Sequence, residues 1–355
     1  MQDFASSSLA MAPVRRAVGC GMRVVSLLPS ATEIVLGLIG PRGMGEDGPV
    51  RLVGRSHECD WPPDAGLANL PVLTSARTHY TTAAEVDRAV RECLSVGSSL
   101  YTLDTKLLRE LRPDLIITQD LCEVCSIDLG TVRAAAAEMS PAPAILSLNP
   151  GTFEQVLDDV ERVGRAMGME REARAWIVRL RERAYRAEEY VNAYAAKPSV
   201  AFLEWTEPLF VGGHWTPQLV ERAGGSHPLN PTGPVEGAGA AEGPIGQTLR
   251  TAGKSMVVSA EQLEASRPDF VVVCPCGLAL EQAWEETGRL AEKHWWKELP
   301  AVGKGRVAVV DGNQMFNRPG PRLVDGLEFL VGFVNGVEEM VPAGFPWRRW
   351  HESAG

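Results

Sequence analysis

The sequence predicts an α/β protein with two lobes. Each lobe is expected to hold a central, mostly parallel sheet flanked by helices, and one long interlobe helix joins them. Short apolar segments alternate with helical patterns, as in parallel sheets covered by helices. A unit of helix end, Arg-Pro-Asp, apolar strand and paired cysteines occurs twice. Between the two units lies a helical stretch without Gly or Pro from Gly168 to Pro198.

These patterns divide the 355-residue chain into five parts. We predict an N-terminal extension (1–21), a first lobe (22–150), an interlobe helix region (151–197), a second lobe (198–340) and a C-terminal tail (341–355). The connecting region is rich in Glu, Arg and Ala, which favours a rigid helix over a flexible Gly/Ser linker.

The first lobe begins with "MRVVSLLPSATEIVLGLIG" (22–40), which predicts a strand, a tight turn and a helix. Within it, Ser30 and Glu33 have the spacing of a capping box. A second strand ends in the polar loop of "LVGRSHECDWP", at Pro62. The remaining predicted elements are a helix over 83–112 and strands at 114–119 and 144–149.

The second lobe resumes the alternation, with predicted strands at 199–205, 269–274 and 306–312. The Gly/Pro-rich loop at 230–247 follows no strand and lacks the glycine spacing of a dinucleotide or phosphate loop. The repeated unit spans 107–125 and 262–277. Because ligands bind outside the carboxyl ends of parallel strands, facing lobes would open both cysteine loops onto one cleft.

The composition excludes several function classes. With 45% hydrophobic residues and a net charge of −10, the chain can bury sizeable cores but lacks the basic surface of nucleic-acid-binding proteins. Seven cysteines do not make a disulfide scaffold at this length. No segment reaches the ~20 apolar residues of a membrane span, and no nucleophile elbow or H-E-x-x-H motif occurs. We therefore predict a soluble, monomeric protein that is not an enzyme.

The N-terminal segment has no apolar region behind its basic residues, so it does not predict a secretory signal. It contains Ser and Arg and is nearly free of acidic residues, which leaves an organellar transit peptide as an alternative. The sequence predicts a cytoplasmic location.

An ordered set of segments resembles one family. "RVVSLLPSATEIVLGLIG", "VGRSHECDWP", "LRPDLIITQ", "NPGTFEQVLDDVERVGRAMG", "VVSAEQLEASRPDFVVV" and "LPAVGKGRVAVVDGNQMF" follow one another between Met22 and Gly336. In this order they resemble the helical-backbone, periplasmic-type substrate-binding proteins for vitamin B12 and iron chelates, closest to the cobalamin-binding branch. The resemblance implies non-catalytic binding of a cobalamin or related corrinoid between two lobes.

Two departures from the family bear on its role. Transport members carry a secretion signal or lipid anchor and dock on a membrane permease through one acidic residue per lobe. Glu261 stands at the second-lobe position, but Lys106 stands at the first. The sequence therefore places permease docking in doubt and predicts an intracellular carrier or sensor, with a component of ABC-type uptake as the alternative.

The resemblance implies that ligand contacts come from the loops that follow the strands. In the loop of residues 57–61, His57 offers an imidazole nitrogen to cobalt or another metal. The alternative is that this segment is an ordinary polar loop with a packed Trp. A corrin ring is flat and apolar, so aromatic faces and a few hydrogen-bond donors would hold it well. Such residues lie near Trp215. The alternative is that Trp215 is an ordinary core residue. The predicted ligand-binding set is Ser30, His57, Glu58, Cys59, Asp60, Trp61, Gln119, Asp120, Glu204, Trp205, Gly213, His214, Trp215, Phe316, Asn317 and Arg318.

The paired cysteines form a separate hypothesis. Cys122 and Cys125 have the spacing of half a zinc site, and Cys274 and Cys276 would complete four thiolates for zinc or another thiophilic metal across the cleft. The alternative is that all four are thiols lining a pocket. A metal-binding protein or metal-dependent enzyme that uses a Cys/His cluster in the same cleft is the alternative function.

Overall fold

The computed structural model describes residues 21–40, 48–77, 82–95, 100–120, 127–192, 194–237, 246 and 249–351. The helices are α1 (Pro29–Ile39), α2 (Ala83–Ser95), α3 (Thr105–Leu111), α4 (Leu129–Ala137), α5 (Phe153–Ala166), α6 (Glu170–Glu188), α7 (Thr216–Arg222), α8 (Ala260–Ala265), α9 (Leu280–Ala291), α10 (His294–Lys297), α11 (Pro300–Gly303) and α12 (Leu323–Asn335). The strands are β1 (Met22–Ser26), β2 (Val50–Arg55), β3 (Thr74–Ala76), β4 (Tyr101–Leu103), β5 (Leu115–Thr118), β6 (Ala144–Ser147), β7 (Val200–Thr206), β8 (Leu209–Val211), β9 (Gly233–Pro234), β10 (Arg250–Thr251), β11 (Met256–Val257), β12 (Phe270–Val273), β13 (Val307–Val310) and β14 (Trp347–Trp350).

The first lobe contains a parallel sheet in the order β2-β1-β5-β6. Its strand β5 is buried at all four positions, as expected for a parallel strand covered on both faces. Strands β3 and β4 form a small antiparallel pair and lie between β2 and β5 in the chain. The predicted α/β class with helices flanking a parallel sheet is confirmed.

The second lobe contains a six-stranded sheet in the order β11-β8-β7-β12-β13-β14. Its central strands β7, β12 and β13 are parallel, and the outer strands pair antiparallel. Strand β14 lies in the segment predicted as a C-terminal tail, so that prediction is corrected. The reason is aromatic packing: the ring centroids of Trp350 and Trp284 lie 4.6 Å apart, and those of Trp347 and Phe329 lie 5.1 Å apart.

The repeated Arg-Pro-Asp unit has the same local structure in both lobes. Arg112 and Arg267 end helices α3 and α8 with φ angles of 43° and 44°. The aspartate of each unit accepts a hydrogen bond from the backbone of the neighbouring strand segment. Asp114 accepts a hydrogen bond from the backbone N–H of Arg23 at 2.8 Å, and Asp269 accepts one from Ser199 at 3.1 Å. Each carboxylate thus joins the unit's own strand to the neighbouring central strand.

The connecting region contains two helices rather than one. The long helix is α6, with 19 residues. It is preceded by α5, and the chain turns between them at Gly168, where φ is +71°, a left-handed conformation that favours glycine. Helix α6 packs against α1, α5 and α12, so it contacts both lobes. The lobe limits at 150 and 198 remain predictions.

One hydrophobic core runs through both lobes. It includes Ile34 of the first lobe, Leu180 of α6, and Phe202 and Phe329 of the second lobe, all nearly inaccessible to solvent. No described helix combines the length and the apolar character needed to cross a bilayer.

Two predictions about the first lobe were wrong in detail. Helix α1 begins at Pro29, so Ser30 and Glu33 lie inside it and do not form a capping box. Proline starts the helix there because its fixed φ suits the first turn and its missing N–H is not needed. The predicted helix 83–112 is interrupted by β4, after which Asp104 caps α3 by accepting from the backbone N–H of Leu107.

Close helix packing in the connecting region makes one glycine sensitive to substitution. A Cβ at Gly164 of α5 would lie 2.4 Å from the Cβ of Ala173 on α6. Gly164→Ala should therefore lower the free energy of unfolding by about 1–3 kcal/mol, a typical cost of overpacking. Urea unfolding measures this. The matched control is Gly303→Ala, because a Cβ there meets nothing within 4 Å. Equal losses in the two variants would contradict the argument.

Candidate functional site at the ends of the strands

The loop after β2 in the first lobe meets the loop after β13 in the second. A guanidinium nitrogen of Arg318 lies 2.6 Å from a carboxylate oxygen of Asp60, and Asn313 donates to the other oxygen of Asp60 at 3.1 Å. The backbone of Gly320 is so close to Ser30 that a Cβ on the glycine would lie 3.2 Å from the serine Cβ. The carboxyl ends of parallel strands from both lobes are therefore brought together. We call these contacts the lobe junction.

Glu33 is a buried carboxyl at the lobe junction. Neither of its oxygens accepts a hydrogen bond from a described residue, and its nearest cations are Arg318 at 3.6 Å and Arg322 at 4.0 Å. Burial raises the pKa of Glu33 to about 7, although both arginines oppose the shift. The guanidinium of Arg322 also lies 3.9 Å above the ring of Trp61, so a cation–π contact adds to the cross-lobe pairing.

A second contact joins the lobes at the start of α2. The backbone N–H of Ala83 donates to Glu286 of α9 at 3.0 Å, and the other carboxylate oxygen of Glu286 accepts from Thr206 of β7 at 3.0 Å. Glu286 is buried and also pairs with Arg289. A carboxylate is favourable at a helix N-terminus because unpaired N–H groups point toward it.

His57 lies at the carboxyl end of β2, half-buried beside the Tyr101 ring, whose centroid is 5.5 Å away. Its Nδ1 is 2.7 Å from the Thr74 hydroxyl, which also accepts from the backbone N–H of His57 at 3.0 Å. Burial is the main cause that lowers the pKa of His57. The hydroxyl of Tyr101 donates to Glu58 at 3.3 Å.

Glu204 occupies the carboxyl end of β7. Its carboxylate accepts from the Thr216 hydroxyl at 3.1 Å, from the Gly213 backbone N–H at 3.4 Å, and from the Ser255 hydroxyl. Burial nevertheless raises the pKa of Glu204 to about 7. Gly213 is needed for close approach, because a Cβ there would lie 2.1 Å from the Ser255 nitrogen.

The residues after β8 divide between surface and core. His214 is partly exposed, and its ring stacks on Trp215 with centroids 5.6 Å apart. Its pKa is lowered by burial and by Lys254. Trp215 is 6% exposed and donates its indole N–H to the backbone oxygen of Phe316 at 2.7 Å. Trp215 and Phe316 therefore belong to the hydrophobic core; for Trp215 this is the alternative that the sequence left open.

The structure separates the predicted ligand-binding residues by exposure. Partly or fully exposed residues are His57, Glu58, Asp60, Trp61, Gln119, Asp120, Glu204, Trp205, His214 and Asn317, although the Glu204 carboxyl itself is enclosed. Buried ones are Ser30, Cys59, Trp215, Phe316 and Arg318. Of the buried set, Arg318 still acts at the lobe junction through Asp60.

Cys274 and Cys276, the two described members of the predicted thiol cluster, differ in burial. The Cys274 side chain is fully buried, with its sulfur 3.7 Å from the Met315 backbone oxygen, whereas Cys276 is exposed. Burial and the carboxyls of Glu204 and Asp311 raise the pKa of the Cys274 thiol. Cys122 and Cys125 lie outside the described residues. Among the residues the structure describes, no group of three or more His, Cys, Asp or Glu side chains could hold a metal ion.

Several residues of the site escaped the sequence analysis. Glu33 lies inside a helix pattern, and Thr74 and Ser255 lie in short polar segments without a motif. Their roles depend on contacts between residues far apart in the chain, such as Thr74 with His57 and Ser255 with Glu204. Arg322 carried a weak signal, because it follows the Pro-rich end of the β13 loop.

The raised pKa of Glu204 predicts a pH-dependent effect of Glu204→Gln. The unfolded carboxyl loses its proton near pH 4.5, and the folded one near pH 7. The contribution of Glu204 to stability is therefore complete below about pH 4.5 and is lost as the pH rises through about 7. Gln stays neutral, so raising the pH from 5 to 8 should favour the variant over wild type by at most about 3 kcal/mol.

Urea unfolding at both pH values measures this difference. Comparing variant with wild type cancels the opposite pH dependence of the histidines, whose pKa values are lowered. Glu264→Gln is the matched control, because Glu264 is exposed in the same lobe. A difference between Glu204→Gln and wild type that is the same at both pH values would contradict the assignment.

Known proteins share this architecture. A periplasmic heme binding protein from Pseudomonas aeruginosa superposes with a TM-score of 0.61 at 20% identity, over 89% of this chain and 93% of that chain. The periplasmic heme-binding protein RhuT from Roseiflexus sp. RS-1 gives 0.59 at 20% identity, over 89% and 98%. The periplasmic vitamin B12 binding protein BtuF of Vibrio cholerae gives 0.56 at 18% identity, over 89% and 98%. These identities establish a shared fold alone.

Among curated proteins there is no match. Residues 24–313, however, match the family described as periplasmic binding protein. Since that match covers most of the chain and agrees with the two-lobed α/β architecture, the protein belongs to the periplasmic binding protein family.

Proposed function

We propose that the protein binds a corrinoid, cobalamin or a close relative, in the cleft between its lobes and catalyses no reaction of it. The observation that carries this proposal is the setting of His57. A half-buried imidazole with a lowered pKa stands at a strand end, beside an aromatic ring and close to the lobe junction. A neutral imidazole is a good ligand for a transition metal, and a corrinoid carries cobalt at the centre of its ring.

Partly exposed aromatic side chains support a wide, apolar ligand. Trp61 and Tyr101 are partly exposed on the first lobe, and Trp205 is partly exposed on the second. The faces of aromatic rings suit a flat macrocycle better than a small polar solute. The choice of a corrinoid over heme rests on the ordered sequence segments, which resemble the cobalamin-binding branch.

The family assignment supports binding without catalysis. The carboxyl groups of the site make structural contacts. Asp60 pairs with Arg318, and Glu204 accepts hydrogen bonds from three donors. A role as an intracellular carrier or sensor remains part of this proposal, as does the cytoplasmic location. Glu261 and Lys106, at the positions compared with permease-docking residues, are both exposed, and Lys106 lies 3.9 Å from Glu110.

Titration with cobalamin, cobinamide and heme tests the ligand class. We expect heat of binding with the two corrinoids and quenching of tryptophan fluorescence, because Trp61 and Trp205 are partly exposed near the predicted cleft. Calorimetry at about 100 μM protein detects dissociation constants of that order or tighter. No heat with either corrinoid would defeat the proposal, and binding of heme alone would replace the corrinoid with a porphyrin.

His57→Ala should weaken corrinoid binding about tenfold or more, which corresponds to about 1.4 kcal/mol. Calorimetry with cobinamide measures the loss. His294→Ala is the matched control, because His294 is exposed on α10 of the second lobe. Equal affinities of the His57 variant and wild type would remove His57 from the binding site.

The alternative function, metal handling by a Cys/His cluster, makes a different prediction. Elemental analysis of the purified protein would then find about one zinc or similar ion per chain, which four thiolates would hold. We expect no stoichiometric metal, because the buried Cys274 thiol resists the deprotonation that ligation requires.

A further inference from the structure

The Thr74 hydroxyl is a hydrogen-bond centre that the proposed function does not by itself explain. Thr74 begins β3 and is buried. Its oxygen lies 3.0 Å from the backbone nitrogen of His57, 2.7 Å from His57 Nδ1 and 3.0 Å from the Ser56 hydroxyl oxygen. Three polar atoms thus meet one hydroxyl group.

Counting protons fixes the direction of these bonds. A threonine hydroxyl has one proton to donate, and here it is donated to Ser56. Both contacts from His57 must then be donated to Thr74. The backbone N–H always donates, so Nδ1 must carry the ring proton. In a neutral imidazole the lone pair then lies on Nε2.

The other ring nitrogen, Nε2, forms no hydrogen bond with a described residue, because the ring partner of His57 is Thr74. Because the backbone nitrogen and the ring nitrogen of His57 bind the same hydroxyl, the ring orientation is fixed relative to the loop. Tyr101 lies against one side of the ring and limits its rotation.

We propose that Thr74 is a positioning residue that holds His57 in the Nδ1–H tautomer, so that Nε2 ligates the cobalt of the bound corrinoid. This inference rests on the proposed function. The step is a ligand exchange: the Nε2 lone pair forms a bond to cobalt(III), and a water molecule leaves the metal. No electron is transferred. Hydrogen-bond partners on the far nitrogen of a ligating histidine orient the ring and increase its basicity.

The test uses aquocobalamin, whose axial water exchanges, and cyanocobalamin, whose axial cyanide does not. Wild type should change the visible spectrum of aquocobalamin as imidazole replaces water. Thr74→Val preserves side-chain shape without the hydroxyl, and it should bind aquocobalamin about 10–100-fold more weakly with the spectral change lost. Its affinity for cyanocobalamin should change less than about threefold, because no cobalt ligand is exchanged there.

Two further variants keep the test decisive if Thr74→Val folds poorly. Thr74→Ser keeps the hydroxyl and should keep the spectral change. Ser56→Ala removes the acceptor of the Thr74 proton, so Thr74 can donate to Nδ1 and His57 can move its proton to Nε2. Ser56→Ala should therefore weaken aquocobalamin binding while leaving the His57 side chain in place.

The outcomes separate this inference from the proposed function. Binding of both cobalamins by wild type without a spectral change would overturn cobalt ligation and leave corrinoid binding intact. A spectral change in Thr74→Val or Ser56→Ala equal to that of wild type would overturn the positioning role. Binding of neither cobalamin by wild type would defeat the proposed function itself.

Discussion

The arrangement of the two lobes depends on the hydrophobic core that they share. Helix α6 packs on α1 of the first lobe, on α5 of the connecting region and on α12 of the second lobe. The close approach is possible because Gly37 and Gly164 lack side chains. A Cβ at Gly37 would lie 2.1 Å from the ring of Trp176. Densely packed interiors deform little, so this core fixes the distance between the two sheets. The loops at the strand ends therefore meet in one arrangement.

Ion pairs then join these loops across the lobes. Arg318 is 7% exposed and lies between Asp60 and Glu33. A buried ion pair is weak evidence for stability, because desolvation offsets much of the attraction. Its consequence here is geometric. The loop that carries Asp60 also carries His57, so the contact between the lobes and the position of the imidazole are coupled through a few residues of backbone.

The fold could be predicted from the sequence because its signals are local or repeated. The buried strands β5 and β12, and the Arg-Pro-Asp unit before each, are visible as apolar runs after a helix end. The site could be predicted only in part. His57 follows β2 and Glu204 lies near the end of β7, and both remain predictions as ligand contacts. Thr74 and Glu33 act through partners distant in sequence, so no motif marks them. Trp215 could not be assigned, because an indole at a strand end suits a pocket and a core equally well until its Nε1 partner is known.

Burial has opposite consequences for the described thiols and imidazoles of this site. Thiols ligate as thiolates, yet burial raises the pKa of Cys59 to about 11 and also raises that of Cys274. Both thiols therefore keep their protons at neutral pH. Burial has the opposite consequence for imidazole, since it lowers the pKa of His57 and His214 and leaves each ring neutral with one lone pair. The same desolvation thus keeps the thiols protonated and leaves the imidazoles neutral, the form in which imidazole can bind a transition metal.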